Sequence, residues 1–351
     1  MDLRELCDRL RSASSTLEPN DGTLAWPAQQ LQWCAEAGVF RWFVPSAYGG
    51  WNWSESQQLE CYLAISESCL TTAFVLTQWN AACKRIALSE NAALRTRLLP
   101  ALARGEIFAT VGISHLTTSR QHLQAPVLAA REDAQGSHTL QGFSPWVTGA
   151  SAADVLVVGA TRADGRQILC ALPSNRTGIT PAVPARLVAL SGSQTGAVRF
   201  EDVTVQPDEI IAGPVANVMQ SGLGGGAGGL QTSTLAIGLT NAAVKFLQGE
   251  AQVRRDLASV TEKLAADAAT LRSMLLGLAS GEDVPLTPAK LREQANSLVL
   301  RATQAALVGA KGAGFVADHP VGRYCREALF FLVWSCPQPV LAANLCEFAQ
   351  V

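Results

Sequence analysis

The sequence predicts an α+β fold in segregated blocks: a helical domain over residues 1–108, an antiparallel β-barrel or sandwich over 109–214, and a helical bundle over 215–351. Three observations carry this. Apolar residues recur at helical spacing in the first and last blocks. Short β-rich stretches divided by turn signals fill the middle one, and no helical pattern intervenes between them, which argues against a doubly wound sheet.

In the first block the amino terminus, MDLRELCDRLRS, places Leu3, Leu6 and Leu10 on one helical face. Punctuation follows at Pro19-Asn20-Asp21-Gly22, Pro27, Pro45 and Gly49-Gly50. Pro100, inside LLPALARGE, is expected to end or kink a short helix, because proline removes a backbone donor and crowds the preceding turn. In the middle block strands are expected at Val127–Arg131, His138–Gly142, Asp154–Ala160, Gln167–Leu172 and Ala197–Phe200. Turns at Asp133–Gly136 and Ala163–Arg166 separate them, the second a strong hairpin signal. A glycine-rich bridge, Gly222–Gly229, leads back to helices. Leu235–Leu247 forms one. Val253, Leu257, Val260, Leu264, Leu271, Leu275 and Leu278 have the spacing of a second helix's packing seam, and Leu291, Ala295, Leu298, Ala302 and Ala305 mark a third beyond a break at Gly281–Pro288.

At 351 residues the chain has ample length for a buried core in two or three domains. Charged residues make up 16% of it, against a usual value of about 25%, and apolar residues 48%, so an isolated subunit would be poorly charged and oligomerisation is expected. A formal charge of −2 without runs of like charge offers no footprint for nucleic acid or anionic membrane. Nine scattered cysteines without a C-x-x-C pair point to reduced thiols. His115, His122, His138 and His319 lack metal-pair spacing, so no metal is expected. The amino terminus has neither the basic start nor the apolar stretch of a signal peptide, and is far shorter than the ~20 apolar residues that cross a bilayer. A cytoplasmic protein is expected.

Gly224–Gly229 formally matches G-x-G-x-x-G, with Glu250 placed as a ribose-binding acid would be. It follows no predicted strand, and Glu250 falls on a helical stretch, so a linker or close backbone packing is the better reading. Neither a phosphate-loop Lys-Ser/Thr nor G-x-S-x-G is present. The stretch Phe143–Ala150, FSPWVTGA, is more informative: it sets an indole and a hydroxyl two residues apart on one face of an extended segment. Trp146 and Thr148 are then either a barrel tryptophan beside a strand-end threonine, or one wall of a site for a flat aromatic cofactor. Near the carboxyl end, seven apolar residues, Ala328–Trp334, run into Ser335-Cys336-Pro337. That run is either plain core or a segment whose polar end faces a buried ligand.

Six stretches in order carry a resemblance: AEAGVFRWFVPSAYGG (Ala35–Gly50), LLPALARGE (Leu98–Glu106), SPWVTGA (Ser144–Ala150), FEDVTVQP (Phe200–Pro207), GAGF (Gly312–Phe315), and Pro320 with Arg326-Glu327. Together they resemble the acyl-CoA dehydrogenase family of flavoproteins over almost the whole chain. The resemblance implies a helical amino-terminal domain, a β-barrel middle, a carboxy-terminal four-helix bundle, bound FAD, and homodimers or homotetramers. It also implies a small acyl-CoA-like substrate oxidised at its CH-CH group, a role in fatty acid metabolism, and an electron-transfer partner. Trp146 and Thr148 would pack on the isoalloxazine and hydrogen-bond its N5. Ser114 would bond the flavin pyrimidine and Ser119 its pyrophosphate, in the loop Gly112–Ser119.

The chain departs from the family at the chemistry. A catalytic glutamate usually follows a tyrosine where this chain has Trp334, so Ser335 occupies the base position. The alternative glutamate would precede a bundle helix, where Gly228 and Gly229 stand. A serine hydroxyl is no base near neutral pH without an activating partner. His115 or Glu327 remains as a candidate base, His115 standing where the flavin loop usually has an acid. After Phe246 a loop that clamps the partner subunit's FAD is missing, leaving Arg254 and Arg255 either to make a phosphate contact or to line a solvated face. Three functions remain open: an FAD-dependent oxidoreductase on an acyl-CoA or related substrate, a flavin-dependent monooxygenase or oxidase, and a catalytically silent homologue acting as a partner subunit.

Overall fold

The computed structural model describes residues 1–18, 25–117, 125–223 and 229–350. The turn at Pro19 to Gly22, Ser119, His122 and Gly228 lie outside them. The first block is α1 (Leu3–Ala13), α2 (Ala28–Glu36), α3 (Glu55–Ser68), α4 (Leu70–Leu88) and α5 (Ala92–Arg104). Ser54 and Gln57 close a capping box on α3, and Cys69, in extended conformation, separates it from α4. Helix α5 does not end at Pro100 but runs on through it to Arg104. Leu99, Leu102 and Ala103 are buried, and their packing holds the last turn in place despite the lost hydrogen bond.

The middle block holds β1 (Ala109–Gly112), α6 (Ser114–Thr117), β2 (Leu128–Glu132), β3 (His138–Thr148), β4 (Val155–Arg162), β5 (Gln167–Pro173), β6 (Ile179–Pro181), β7 (Thr195–Val205) and β8 (Ile210–Val215). They form one sheet in the order β6-β7-β3-β2-β4-β5-β8, with β1 also on β4. The expected antiparallel sheet is in fact mixed, because β1 and β2 both run parallel to β4. Both faces of the central strand β4 are covered. Val155 and Val157 of β4, with Ala109 and Val111 of β1, join the core shared with the helices. Leu156 and Val158 of β4, with Val147, Val198 and Phe200, fill a second core inside the curl of the sheet.

The last block comprises α7 (Leu230–Ala251), α8 (Ala258–Ser280), α9 (Pro288–Ala310), α10 (Pro320–Leu329) and α11 (Gln338–Ala349). Helices α7 to α10 pack as a four-helix bundle, with α11 laid on α9. Helix α7 also lies across α3, where Gly238 permits contact: a Cβ there would stand 1.8 Å from Ser66 Oγ. The second bundle helix starts later than its heptad pattern suggested. Val253 precedes it and is 87% exposed, and Val260 is also exposed, so the working seam is Thr261, Leu264, Ala268, Leu271 and Leu275. Among the described residues no helix is long and apolar enough to cross a membrane.

Candidate active site

The outer face of β3 and β7 presents the predicted pair. Val147 points into the inner core, so by strand alternation Trp146 and Thr148 turn the other way. The indole is 50% exposed, without an aromatic partner among the described residues. Thr148 is covered. It pairs across the sheet with Thr195, whose hydroxyl lies 2.9 Å from that of Thr148 and 2.9 Å from that of Ser193. Gly149, at φ +63°, follows Thr148 and supports the ring of Trp26: a Cβ there would stand 2.2 Å from the indole. Further along the same two strands, Gln141, Phe143, Ala197 and Arg199 line an open cleft of about 370 Å³.

Helix α4 connects this face to the carboxyl-terminal turn. Thr71, in its first turn, touches Gly192, in the loop that leads into Thr195. One turn on, Phe74 sets its ring edge against Phe330 and Trp334, at 4.9 and 5.0 Å, and those two stack on each other at 5.1 Å. The apolar run is therefore only partly core: Ala328 and Phe331 are buried while Leu329 and Val333 are exposed; it winds as the end of α10 and a short 3-10 turn, and Ser335 leaves it with φ +45°, in the left-handed region. That conformation costs a non-glycine residue about 1–3 kcal/mol. Arg292 holds the turn by donating from Nη2 to the carbonyls of Phe331 and Trp334, both at 3.0 Å. Burial lowers the pKa of Arg292 to about 10 and raises that of the neighbouring Cys336 thiol, an effect Arg292 partly offsets.

The other predicted residues occupy varied settings. Ser114 opens α6, which packs against β3, and its buried hydroxyl has no hydrogen-bond partner among the described residues. His115 is buried, with Nε2 2.8 Å from the carbonyl of Gly159, and burial lowers its pKa, so the ring is neutral at pH 7 and pins α6 to β4. Glu327 sits 3% exposed in α10, its Oε1 3.4 Å from Arg323 Nε. Burial pushes its carboxyl up to about 8 despite Arg323, with Glu18 adding to the effect. Glu18 itself accepts from the Leu190 N–H and from Arg326, so this cluster ties the amino-terminal block to the sheet and the bundle. Gly229 caps α7. Arg254 is spent on the Gly309 carbonyl, Glu250 and Asp256, whereas Arg255 is exposed.

The structure thus places Trp146 and Thr148 on one strand face and Ser114 on α6, which packs against the same strand, and leaves His115 and Glu327 in buried contacts of their own. A flat aromatic ligand such as a flavin suits this face: a half-exposed indole offers a stacking surface and an open cleft continues beyond, while on the adjoining α6 the buried Ser114 hydroxyl has no partner among the described residues. Sequence reasoning missed Ser193, Thr195 and Phe74. Ser193 ends a short 3-10 turn and Thr195 opens β7, so no strand alternation in the sequence marks them as partners of Thr148.

The model of the acyl-CoA dehydrogenase amino-terminal domain matches residues 9–106. A dibenzothiophene monooxygenase of Rhodococcus qingshengii is 24% identical over 62% of this chain and 52% of its own length. The chain therefore spans about half the length of that curated relative. Among solved structures, butyryl-CoA dehydrogenase from Megasphaera elsdenii superposes with a TM-score of 0.83 at 15% identity, covering 99% of this chain and 96% of that one. A complex of the dibenzothiophene monooxygenase TdsC from Paenibacillus sp. A11-2 with FMN and indole superposes at 0.79 and 16% identity, covering 98% and 94%.

Proposed function

We infer from the amino-terminal family match and the shared fold that the chain is a member of the acyl-CoA dehydrogenase family, and from that premise we propose that it is a flavin-dependent oxidoreductase using reduced flavin and oxygen, a monooxygenase or oxidase. The observation that carries this reading is Ser335. In place of a carboxylate it offers a hydroxyl on a strained turn that directly follows the ring cluster of Phe74, Phe330 and Trp334. Nothing at that position takes an α-proton near neutral pH, and general-base help is worth roughly 10²–10⁴-fold to a reaction that needs it. Chemistry without an α-proton base loses nothing. The likeness to dibenzothiophene monooxygenases supports the same choice.

Bound flavin would supply two-electron acceptance and, once reduced, reaction with oxygen. The residues would hold and orient it: Trp146 by stacking, Thr148 by a hydrogen bond at the ring edge toward N5, Ser114 at the pyrimidine, and Ser119 at the phosphates. The three clustered rings would keep water from the reacting face. FAD is the cofactor that the family resemblance implies, and FMN is the one bound to TdsC. A second reading, oxidation of the CH-CH group of an acyl-CoA-like substrate with electrons passed to a protein partner, is supported by the amino-terminal family match and the butyryl-CoA dehydrogenase neighbour.

Anaerobic spectra of the flavin-loaded protein separate these readings. The proposal expects no bleaching by acyl-CoAs and rapid oxygen consumption after chemical reduction. Bleaching by one acyl-CoA would establish the second reading instead, and failure to take up either flavin would mark a silent partner subunit.

We further propose a homodimer or homotetramer. Val253, Val308 and Phe315, at the far ends of α7 and α9, are 87%, 74% and 88% exposed, an apolar surface suited to self-association. Light scattering should give the mass of two or four chains, and a monomer at micromolar concentration would contradict it.

A further inference from the structure

We propose that Thr195, itself oriented by Ser193, is a positioning residue that fixes the Thr148 hydroxyl as a hydrogen-bond donor toward the ligand. The inference rests on the reading of Trp146 and Thr148 as a flavin wall.

The argument is a count of hydrogens. Ser193 Oγ, Thr195 Oγ1 and Thr148 Oγ1 form a line with both gaps at 2.9 Å. Three hydroxyls bring three hydrogens to two internal bonds, so one hydrogen must be satisfied outside the line. Thr195 sits in the middle with a single hydrogen. It either donates to one neighbour and accepts from the other, so that the line runs in one of two directions, or accepts from both, which leaves the hydrogen of the buried Thr195 hydroxyl without a partner among the described residues and is disfavoured for that reason.

All three residues are buried, Thr148 at 3% exposure, so the choice turns on which end of the line a ligand can reach. If the line ran from Thr148 to Ser193, the spare hydrogen would lie on Ser193, which is 0% exposed and whose hydroxyl has no other partner among the described residues. An unpaired buried donor pays its full desolvation penalty. If the line runs from Ser193 to Thr148, the spare hydrogen lies on Thr148, on the strand face it shares with Trp146, where a ligand can accept it. The second direction leaves nothing unpaired once an acceptor arrives, and oxidised flavin presents a ring-edge nitrogen that accepts. The two buried hydroxyls behind Thr148 thus hold it as the donor to an acceptor that arrives on this face. The backbone reinforces this geometry: the Gly149 N–H donates to the Ser193 carbonyl at 3.0 Å, and the Thr110 hydroxyl donates to the Thr148 carbonyl at 2.8 Å.

The test is a double-mutant cycle read by titrating oxidised FMN or FAD against flavin fluorescence, without turnover. Thr148→Val should weaken binding by about tenfold, the worth of one such hydrogen bond. Thr195→Val should weaken it by roughly threefold to tenfold, whereas Thr195→Ser, which keeps the hydroxyl, should restore it. Ser193→Ala should act in the same direction and serves if Thr195→Val folds poorly. In the Thr148→Val background, neither Thr195→Val nor Ser193→Ala should have any further effect. An undiminished effect of Thr195→Val in that background would overturn the proposal, as would no effect of Thr195→Val where Thr148→Val has one. Absence of flavin binding by the unaltered chain would instead bring down the flavin reading itself, and this inference with it.

Discussion

Replacing Trp146 with alanine is expected to weaken flavin binding by about 10- to 100-fold while leaving the fold intact. Stacking of a heteroaromatic ring on an aromatic side chain is worth about 1–3 kcal/mol by alanine substitution, and each 1.4 kcal/mol is about tenfold. The indole is half-exposed and has no ring partner of its own, so its removal opens no cavity in either core. Stability should change by no more than about 0.5 kcal/mol. Trp146→Phe should retain most of the affinity, since a smaller ring still stacks. The check is a flavin titration beside a urea melt for each variant. Unchanged affinity in Trp146→Ala would place the ligand elsewhere, whereas a large loss of stability would mean that the indole is structural.

The second large effect concerns Glu327. Its carboxyl is raised from the ordinary 4.5 to about 8 in the folded chain, so between those values the native state holds a proton that the unfolded state has released. Stability must therefore fall as pH rises through that window. Glu327→Gln is neutral throughout and should flatten this decline. Glu327→Ala should cost about 3 kcal/mol, because it empties a buried site and leaves Arg323, itself 9% exposed, without its partner. Urea denaturation of the three proteins across pH 5 to 9 is the measurement. A decline of the same slope in Glu327→Gln would assign the titration to another group.

Much of the architecture could be read from short-range pattern. The strands at His138, Asp154 and Gln167 announce themselves by β-rich composition between turn signals, and the helices of the last block by spacing. The errors arise where distant contacts decide. The strand β1 has only four residues and owes its place to parallel pairing with β4, more than forty positions away, which no local signal reveals. Pro100 and Val253 mislead in opposite senses. Packing of Leu99, Leu102 and Ala103 carries α5 through a proline, whereas Val253 fits a heptad but lies outside any helix, in solvent. At the candidate site, Trp146 and Thr148 stood out because indole and hydroxyl are adjacent on one strand. Thr195 and Ser193 act on Thr148 from 47 and 45 positions away, and Phe74 meets Trp334 only because α4 spans the gap between sheet and bundle.

The visible spectrum of the purified protein, after incubation with FMN or FAD and removal of free flavin, tests the central claim most directly. A protein that stays yellow, with tryptophan emission quenched in the native chain but less so in Trp146→Ala, is the predicted result. A colourless protein with unaltered emission would contradict a flavin site on the β3–β7 face.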